Sequence, residues 1–302
     1  MPTHRDESSA ATAAAPLALR FTKGHGTRND FVVLDDPEGA LALDASVVAA
    51  LADRRGGIGG DGVIRVVRTR AAGIEAPADA PEWFMDYRNA DGSIAEMCGN
   101  GVRVFAAFLS RAGRLPEGDA PLDIWTRAGV RRLEVLADPP GPGDPWQVRV
   151  GMGPARVSDG PVRTVRIAGR ELSAWDADMG NPHAVVELPE DLVLEDLDLT
   201  VRPGLDPEPE HGANIEFVVR RGPAHVAMRV FERGVGETQS CGTGAAAVGV
   251  VSALWAGDDG SGPWRVDVPG GTLEVARAED GHVTLAGPAQ LVADGETALP
   301  HA

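Results

Sequence analysis

One short pattern occurs twice in this chain, each time at the start of an apolar segment, and it constrains the fold more than any other feature. Met97-Cys98-Gly99-Asn100-Gly101 leads into a stretch made apolar nearly all round by Val102, Phe105, Ala106, Phe108 and Leu109. Ser240-Cys241-Gly242-Thr243-Gly244 leads into residues 245–255, which are more apolar still and small-sided. A helix apolar on every side has to be buried, so each needs a layer of structure wrapped around it. Short strand-like runs supply that layer, at 17–22, 31–34, 63–68 and 83–87 before the first helix. Before the second they fall at 147–151, 162–167, 184–188, 215–220 and 224–231, and two more follow it at 271–276 and 282–286. Strands gathered around one central helix, without regular βαβ alternation, predict an α+β fold. Because the pattern is duplicated, two similar lobes are expected.

Other landmarks are local. Gly24-His25-Gly26 reads as a break after the first strand. Residues 44–52 have helical spacing with Asp44 as N-cap. Residues 54–62 form a glycine-dense loop, and 69–81 a polar loop between hairpin strands. The Pro- and Gly-rich run at 138–145 reads as either a domain seam or a hairpin loop. Placing the seam there gives an N-terminal lobe of 17–143 and a C-terminal lobe of 144–286. Residues 1–16, rich in Ala, Ser and Thr, read as a disordered extension without the apolar core of a secretory signal.

Composition narrows the chemistry. The formal charge is −17, from 28 Lys+Arg against 45 Asp+Glu, which argues against nucleic acid as the main partner. No apolar run is long enough to span a membrane. Cys98 and Cys241 are the only cysteines, too few for a disulfide scaffold, and a reducing cytoplasm is the expected compartment. No zinc-site spacing is present, so no metal is expected. Lys23 is the sole lysine and lies in a Gly-flanked turn without supporting motif, which argues against pyridoxal phosphate; no cofactor is expected.

A cysteine at a helix start faces unpaired N–H groups and about half a positive charge, and both favour the thiolate. The adjacent glycines allow a substrate close to the backbone, where the same N–H groups can bind a carboxylate. Two such thiols on opposite faces of one carbon, roughly 6–8 Å apart, can invert a stereocentre: one removes the α-proton and the other delivers a proton. Cofactor-free two-base proton transfer is therefore the predicted chemistry. Asn- and Arg-bearing segments beside glycines supply groups for ammonium and carboxylate: 88–93, 180–183, 212–215 and 231–238.

These motifs resemble those of the diaminopimelate epimerases, pyridoxal-independent enzymes that interconvert LL- and meso-2,6-diaminopimelate in lysine and peptidoglycan-precursor biosynthesis. The resemblance runs from about residue 17 to 294. It rests on Asn89-Ala-Asp-Gly-Ser93, Met97-Cys-Gly-Asn-Gly101, Gly180-Asn-Pro-His183 and, above all, Glu232-Arg-Gly-Val-Gly-Glu-Thr-Gln-Ser-Cys-Gly-Thr-Gly244. It implies that Cys98 and Cys241 are the acid/base thiols and that His183 and Glu232 tune them. It implies Asn29, Asn89, Asn181 and Asn214 as substrate ligands, with Glu232 and Arg233 holding the substrate. Gly99, Asn100, Gly242 and Thr243 would bind the reacting α-carboxylate through helix N–H groups. The implied fold is two pseudo-symmetric lobes, each a mainly antiparallel sheet rolled around a central helix, with the site in the cleft between them. Residues 287–299 would return to the first lobe, and a homodimer is expected.

Two departures stand out. Many members carry Gln where this chain has Gly62, so any contact of that amide is missing or made by water. The first loop, 24–29, is longer than the usual Gly-x-Gly-Asn-Asp, so Asn29 sits farther along the chain from the glycines. Proline and hydroxyproline racemases, the nearest alternative, favour His where this chain has Asn100 and lack the Glu-Arg-Gly-x-Gly-Glu-Thr run. A binding protein without activity would be expected to have lost one cysteine, and both are present.

Overall fold

A computed structural model describes residues 18–116, 120–141, 143–258 and 260–298. The expected N-terminal extension lies outside them. Among the described residues the chain is mostly strand, with three α-helices: α1 (Ala45–Ala52), α2 (Gly99–Arg111) and α3 (Gly242–Ala256). The first strands are β1 (Ala18–Gly26), β2 (Asn29–Asp35), β3 (Gly62–Arg68), β4 (Trp83–Asn89), β5 (Leu122–Thr126), β6 (Gly129–Ala137) and β7 (Trp146–Pro154). Each pairs with the next. The steps β2–β3 and β4–β5 are parallel, and the others antiparallel.

The second series is β8 (Arg156–Ile167), β9 (Arg170–Asp178), β10 (Pro182–Glu187), β11 (Gly204–Asp206), β12 (Asn214–Gly222), β13 (His225–Glu232), β14 (Gly236–Thr238), β15 (Trp264–Val268) and β16 (Gly271–Arg277). Here β8–β9–β10–β12–β13–β15–β16 pair in that order, with β10–β12 and β13–β15 parallel. The long β17 (His282–Ala298) closes both series. Its first half pairs with β7 and β16, and its second half with β1. Only Ala155 separates β7 from β8, so the second series also returns on itself through that strand.

A closed barrel-like sheet thus surrounds the helices, as the apolar segments required. Helix α2 touches β1, β2, β3, β4, β6, β7 and β17, whereas α3 touches β9, β10, β12, β13, β15, β16 and β17. Every residue of α2 from Gly99 to Leu109 is buried. Val102, Phe105, Ala106 and Leu109 join one apolar core with Phe31, Val33, Ile64 and Met85. Each such large side chain contributes roughly 1.5–3 kcal/mol of burial. Helix α1 packs outside, with Val47, Val48 and Leu51 in a separate core beside Leu19, Val32 and Val63. Its cap is as expected, since Asp44 Oδ1 accepts from the Val47 N–H at 2.8 Å.

The glycines at 24 and 26 do not break the first strand. β1 runs through Gly26, and the turn is Thr27-Arg28, both at positive φ (49° and 64°), as a two-residue hairpin requires. The two glycines serve packing instead. A Cβ on Gly24 would stand 2.9 Å from Val104 Cγ1, and one on Gly26 2.8 Å from the Asn100 carbonyl. Their absent side chains let α2 press onto the strand. The 138–145 run connects the antiparallel pair β6–β7.

Candidate active site

Cys98 and Cys241 are the N-cap residues of α2 and α3, both in extended conformation. The two helix starts meet end to end. A Cβ on Gly242 would lie 3.2 Å from Gly99 Cα and 3.3 Å from the Asn100 backbone nitrogen. The junction is tied by side chains. Asn100 Nδ2 donates to the Ser240 carbonyl at 3.0 Å, and Thr27 and Ser240 hydroxyls share a 2.6 Å hydrogen bond. The fully buried Arg103 donates to Asn100 Oδ1 at 2.9 Å and to Thr27 Oγ1 at 3.0 Å. Thr27, Arg103 and Ser240 were not anticipated from the sequence. The visible signal was an arginine inside an otherwise apolar helix.

Around Cys98, the thiol donates to Asn29 Oδ1 at 3.5 Å, and Asn100 Nδ2 reaches the same oxygen at 3.3 Å. Asn29 Nδ2 donates to Asp61 Oδ2 at 2.7 Å, so its oxygen is turned toward the sulfur. Asp61 is held in turn by Arg54. Lys23 is engaged here as well, 2.6 Å from Asp30. Burial pushes the Cys98 thiol up to about 11; the Glu232 carboxylate adds to this, while the Gly101 and Asn100 N–H groups and the Arg103 charge oppose it.

Tyr87, the only tyrosine, also belongs here. Its ring meets Phe31 edge-on, with centroids 5.8 Å apart, and its hydroxyl donates to Asn89 Oδ1 at 3.0 Å. Asn89 Nδ2 donates to Ser93 Oγ at 3.0 Å, so both ends of that amide are fixed. A Cβ on Gly62 would stand 2.4 Å from the Arg88 carbonyl and 2.6 Å from Tyr87 Cε2. The space a side chain at position 62 would need is therefore occupied by the Tyr87 ring and backbone. Burial first, then the charges of Cys98, Asp61 and Glu232, push the Tyr87 hydroxyl far up, so it stays a donor.

Around Cys241, the sulfur accepts from the Gly244 N–H at 3.4 Å and lies 3.4 Å from Thr243 Oγ1. Burial and then the carboxylates of Glu232 and Glu216 push this thiol up; Thr243 and Gly244 oppose them. Glu232 accepts from the Thr238 hydroxyl, and burial raises its own carboxyl. Its charge bears on both thiols. His183 is fully buried: Nδ1 lies 2.7 Å from Glu216 Oε1 and Nε2 lies 3.1 Å from Asn181 Oδ1. Asn214 Nδ2 stands 3.4 Å from His183 Nδ1, and Asn214 Oδ1 accepts from the Arg233 N–H at 2.9 Å. The Arg233 guanidinium points elsewhere, to the His211 carbonyl at 2.9 Å.

The sequence-predicted residues thus fall into two joined groups. Asn29, Asn89, Gly99 and Asn100 gather near Cys98, and Asn181, His183, Asn214, Glu232, Arg233, Gly242 and Thr243 lie on the Cys241 side. Among the described residues, no cluster of three or more His, Cys, Asp or Glu could hold a metal ion. No helix among them is long and apolar enough to cross a membrane.

Residues 21–158 and 176–292 match the family model described as "Diaminopimelate epimerase". The Streptomyces coelicolor diaminopimelate epimerase is 50% identical over 293 residues, covering 92% of this chain and 95% of that protein. The Thermobifida fusca enzyme of the same name is 47% identical over 288 residues, covering 93% and 98%. Among solved structures, a Bacillus anthracis phenazine biosynthesis protein of the PhzF family superposes with a TM-score of 0.67 at 16% identity, covering 93% of this chain and 99% of that one. A hydroxyproline epimerase from Agrobacterium vitis gives 0.65 at 14% identity, covering 94% and 93%. At such identities these two show a shared fold only.

Proposed function

The chain belongs to the diaminopimelate epimerase family, and from that membership we propose that it interconverts LL- and meso-2,6-diaminopimelate, in lysine and peptidoglycan-precursor biosynthesis, without a cofactor. The observation that carries the mechanism is the end-to-end meeting of two helix starts, each capped by a cysteine.

In one direction the Cys98 thiolate takes the α-proton, leaving the electron pair on the α-carbon and its carboxylate. The Cys241 thiol then delivers its proton to the opposite face and becomes the thiolate. The reverse reaction exchanges the roles. N–H groups at Gly99, Asn100, Gly242 and Thr243 face the reacting carboxylate and oppose the charge that develops on it. Asn29, Asn89, Asn181, Asn214, Glu232 and Arg233 hold the remaining ammonium and carboxylate groups. His183 and Glu232 tune the thiols: Glu232 stands ready to accept the Cys241 proton, and its raised carboxyl suits that exchange. In this reading residues 17–143 with 287–299 make one lobe and 144–286 the other, β17 pairing with strands of both series, with the substrate in the cleft between. Two free cysteines support a reducing cytoplasm as the compartment, and family membership supports a homodimer.

The test is turnover of LL-diaminopimelate in D₂O. Deuterium is expected at one α-carbon as inversion proceeds, and Cys98→Ala or Cys241→Ala should abolish inversion. Inversion without solvent exchange, or near-normal turnover by either variant, would overturn the two-base scheme.

A further inference from the structure

Glu216 has no part in the scheme above, yet it stands inside the site. It lies on β12, two residues after Asn214, and its side chain is fully buried. Oε1 approaches His183 Nδ1 at 2.7 Å, and Oε2 is buried with no hydrogen-bond partner. The carboxylate also reaches the first turn of α3. The point a Cβ on Gly244 would occupy is 2.7 Å from Glu216 Oε1 and 3.3 Å from Cys241 Sγ. Only glycine at 244 leaves room for a carboxylate that close to the cysteine.

The hydrogen bonds of His183 define its charge. Nδ1 faces a carboxylate oxygen and Nε2 faces the Asn181 side-chain oxygen. Asn181 Oδ1 accepts, and with Glu216 ionised its oxygen accepts as well; both ring nitrogens then carry hydrogen, which makes the ring an imidazolium. The Asn214 amide stands farther from Nδ1, at 3.4 Å, and does not displace the carboxylate. A buried cation needs a buried counter-charge, and removing one partner of such a pair is strongly unfavourable. Glu216 is that counter-charge.

We propose that Glu216 is a positioning residue of the epimerisation: it holds His183 as an imidazolium with a fixed ring, so that the second ring N–H is presented to Asn181 at the wall of the substrate cleft. Asn181 and His183 also line a cavity of about 440 Å³, bounded by Arg163, Asp176 and Pro209. The proposal rests on the reading that His183 tunes the thiols. The other charged groups facing the pair are Cys241 at the start of α3, Glu232 on β13, and Arg156, the Asp176–Arg163 pair and Asp178 beside the same cavity. Asp176 is neutralised by Arg163 at 2.6 Å, which leaves Glu216 as the carboxylate in contact with the ring.

Glu216→Gln keeps the shape and an acceptor oxygen but removes the charge. Nitrogen NMR of the histidine rings in the wild-type protein at about pH 7 should show His183 doubly protonated. In Glu216→Gln it should become a neutral tautomer. The variant's kcat should fall about tenfold or more at that pH, with KM changed less than about threefold. Its kcat relative to wild type should recover toward about pH 5.5, as acid returns the proton to His183. A purely structural role would not give that pH-dependent recovery. A neutral His183 in the wild type, or a variant with unaltered kcat and pH profile, overturns the inference. Normal turnover by His183→Gln instead overturns the reading beneath it, whatever the NMR shows.

Discussion

Arg103→Met tests how the two cysteines are held in register. Arg103 is fully buried and, among the described residues, no carboxylate is found to pair with it. Burial lowers its guanidinium to about 10, so it is still charged at neutral pH. Its charge is spread over neutral oxygens: Asn100 Oδ1 at 2.9 Å, Thr27 Oγ1 at 3.0 Å, the Pro288 carbonyl at 3.3 Å and the Gly99 carbonyl at 3.5 Å. A hydrogen bond from a charged donor contributes about 1.5–3 kcal/mol, so the two short ones amount to about 3–6 kcal/mol. Methionine recovers part of this, because no charge then has to be desolvated. The expected net loss is roughly 3 kcal/mol, or a fall in Tm of roughly 6–12 °C. Function should suffer separately. Asn100 and Thr27 both reach Ser240, which adjoins Cys241, so loss of the guanidinium frees the link between the helix starts. A misplacement on the order of 1 Å can cost a hundredfold in rate. The assays are thermal unfolding and α-proton exchange in D₂O. A variant with unchanged Tm and wild-type exchange would refute the claim that Arg103 clamps the junction.

Two further outcomes follow from single contacts. Tyr87→Phe leaves Asn89 Oδ1 without its donor, so KM for diaminopimelate should rise about three- to tenfold with the fold intact; an unchanged KM would remove Tyr87 from substrate positioning. Burial pushes the Asp86 carboxyl up, but Arg127, Arg65 and Arg88 outweigh it and hold the carboxyl below the ordinary range. A depressed carboxyl adds stability above its unfolded value of about 3.9 and loses it as pH falls through the lower folded value. Wild-type Tm should therefore drop below about pH 4, and Asp86→Asn should be less stable at neutral pH and flatter in acid. Identical acid limbs in the two proteins would contradict that assignment.

The two helix starts were legible because a helix apolar nearly all round has one place to be, and in each case the cysteine before it is the N-cap. Legibility failed where one residue type serves two ends. Gly24 and Gly26 look like turn glycines but are contact glycines, because the strand's own side chains would collide with Val104 and Asn100. The turn itself uses Thr27 and Arg28, which no turn rule favours at positive φ. Strands β5 and β6 escaped notice because Leu122, Val130 and Leu136 are partly exposed and arginines interrupt the alternation. Arg103 and Glu216 were hard to read for the opposite reason. A charge inside an apolar run reads as a solvated face until the groups that bury it are known: for Arg103, Asn100 on the same helix and Thr27 in the first turn; for Glu216, His183 on the neighbouring strand.

The backbone is duplicated, but the side chains around the two thiols are not, and the difference bears on reversibility. At Cys98 the N–H groups of Gly101 and Asn100 and the Arg103 charge favour the thiolate, while the Asn29 oxygen and Glu232 favour the thiol. At Cys241 Thr243 and Gly244 favour the thiolate, while Glu232 and Glu216 favour the thiol. Each sulfur therefore has opposed influences of its own, with burial, the largest, favouring the thiol at both. Glu232 alone acts on both. When it accepts the Cys241 proton, its negative charge disappears and both sulfurs become easier to ionise. A carboxyl raised by burial can release that proton again at little cost. Glu216, paired with His183, cannot play this part, because its charge is already spent on the imidazolium. In the proposed scheme Glu232, whose charge bears on both thiols, is the exchangeable carboxyl, and Glu216, in contact with His183, is the fixed one.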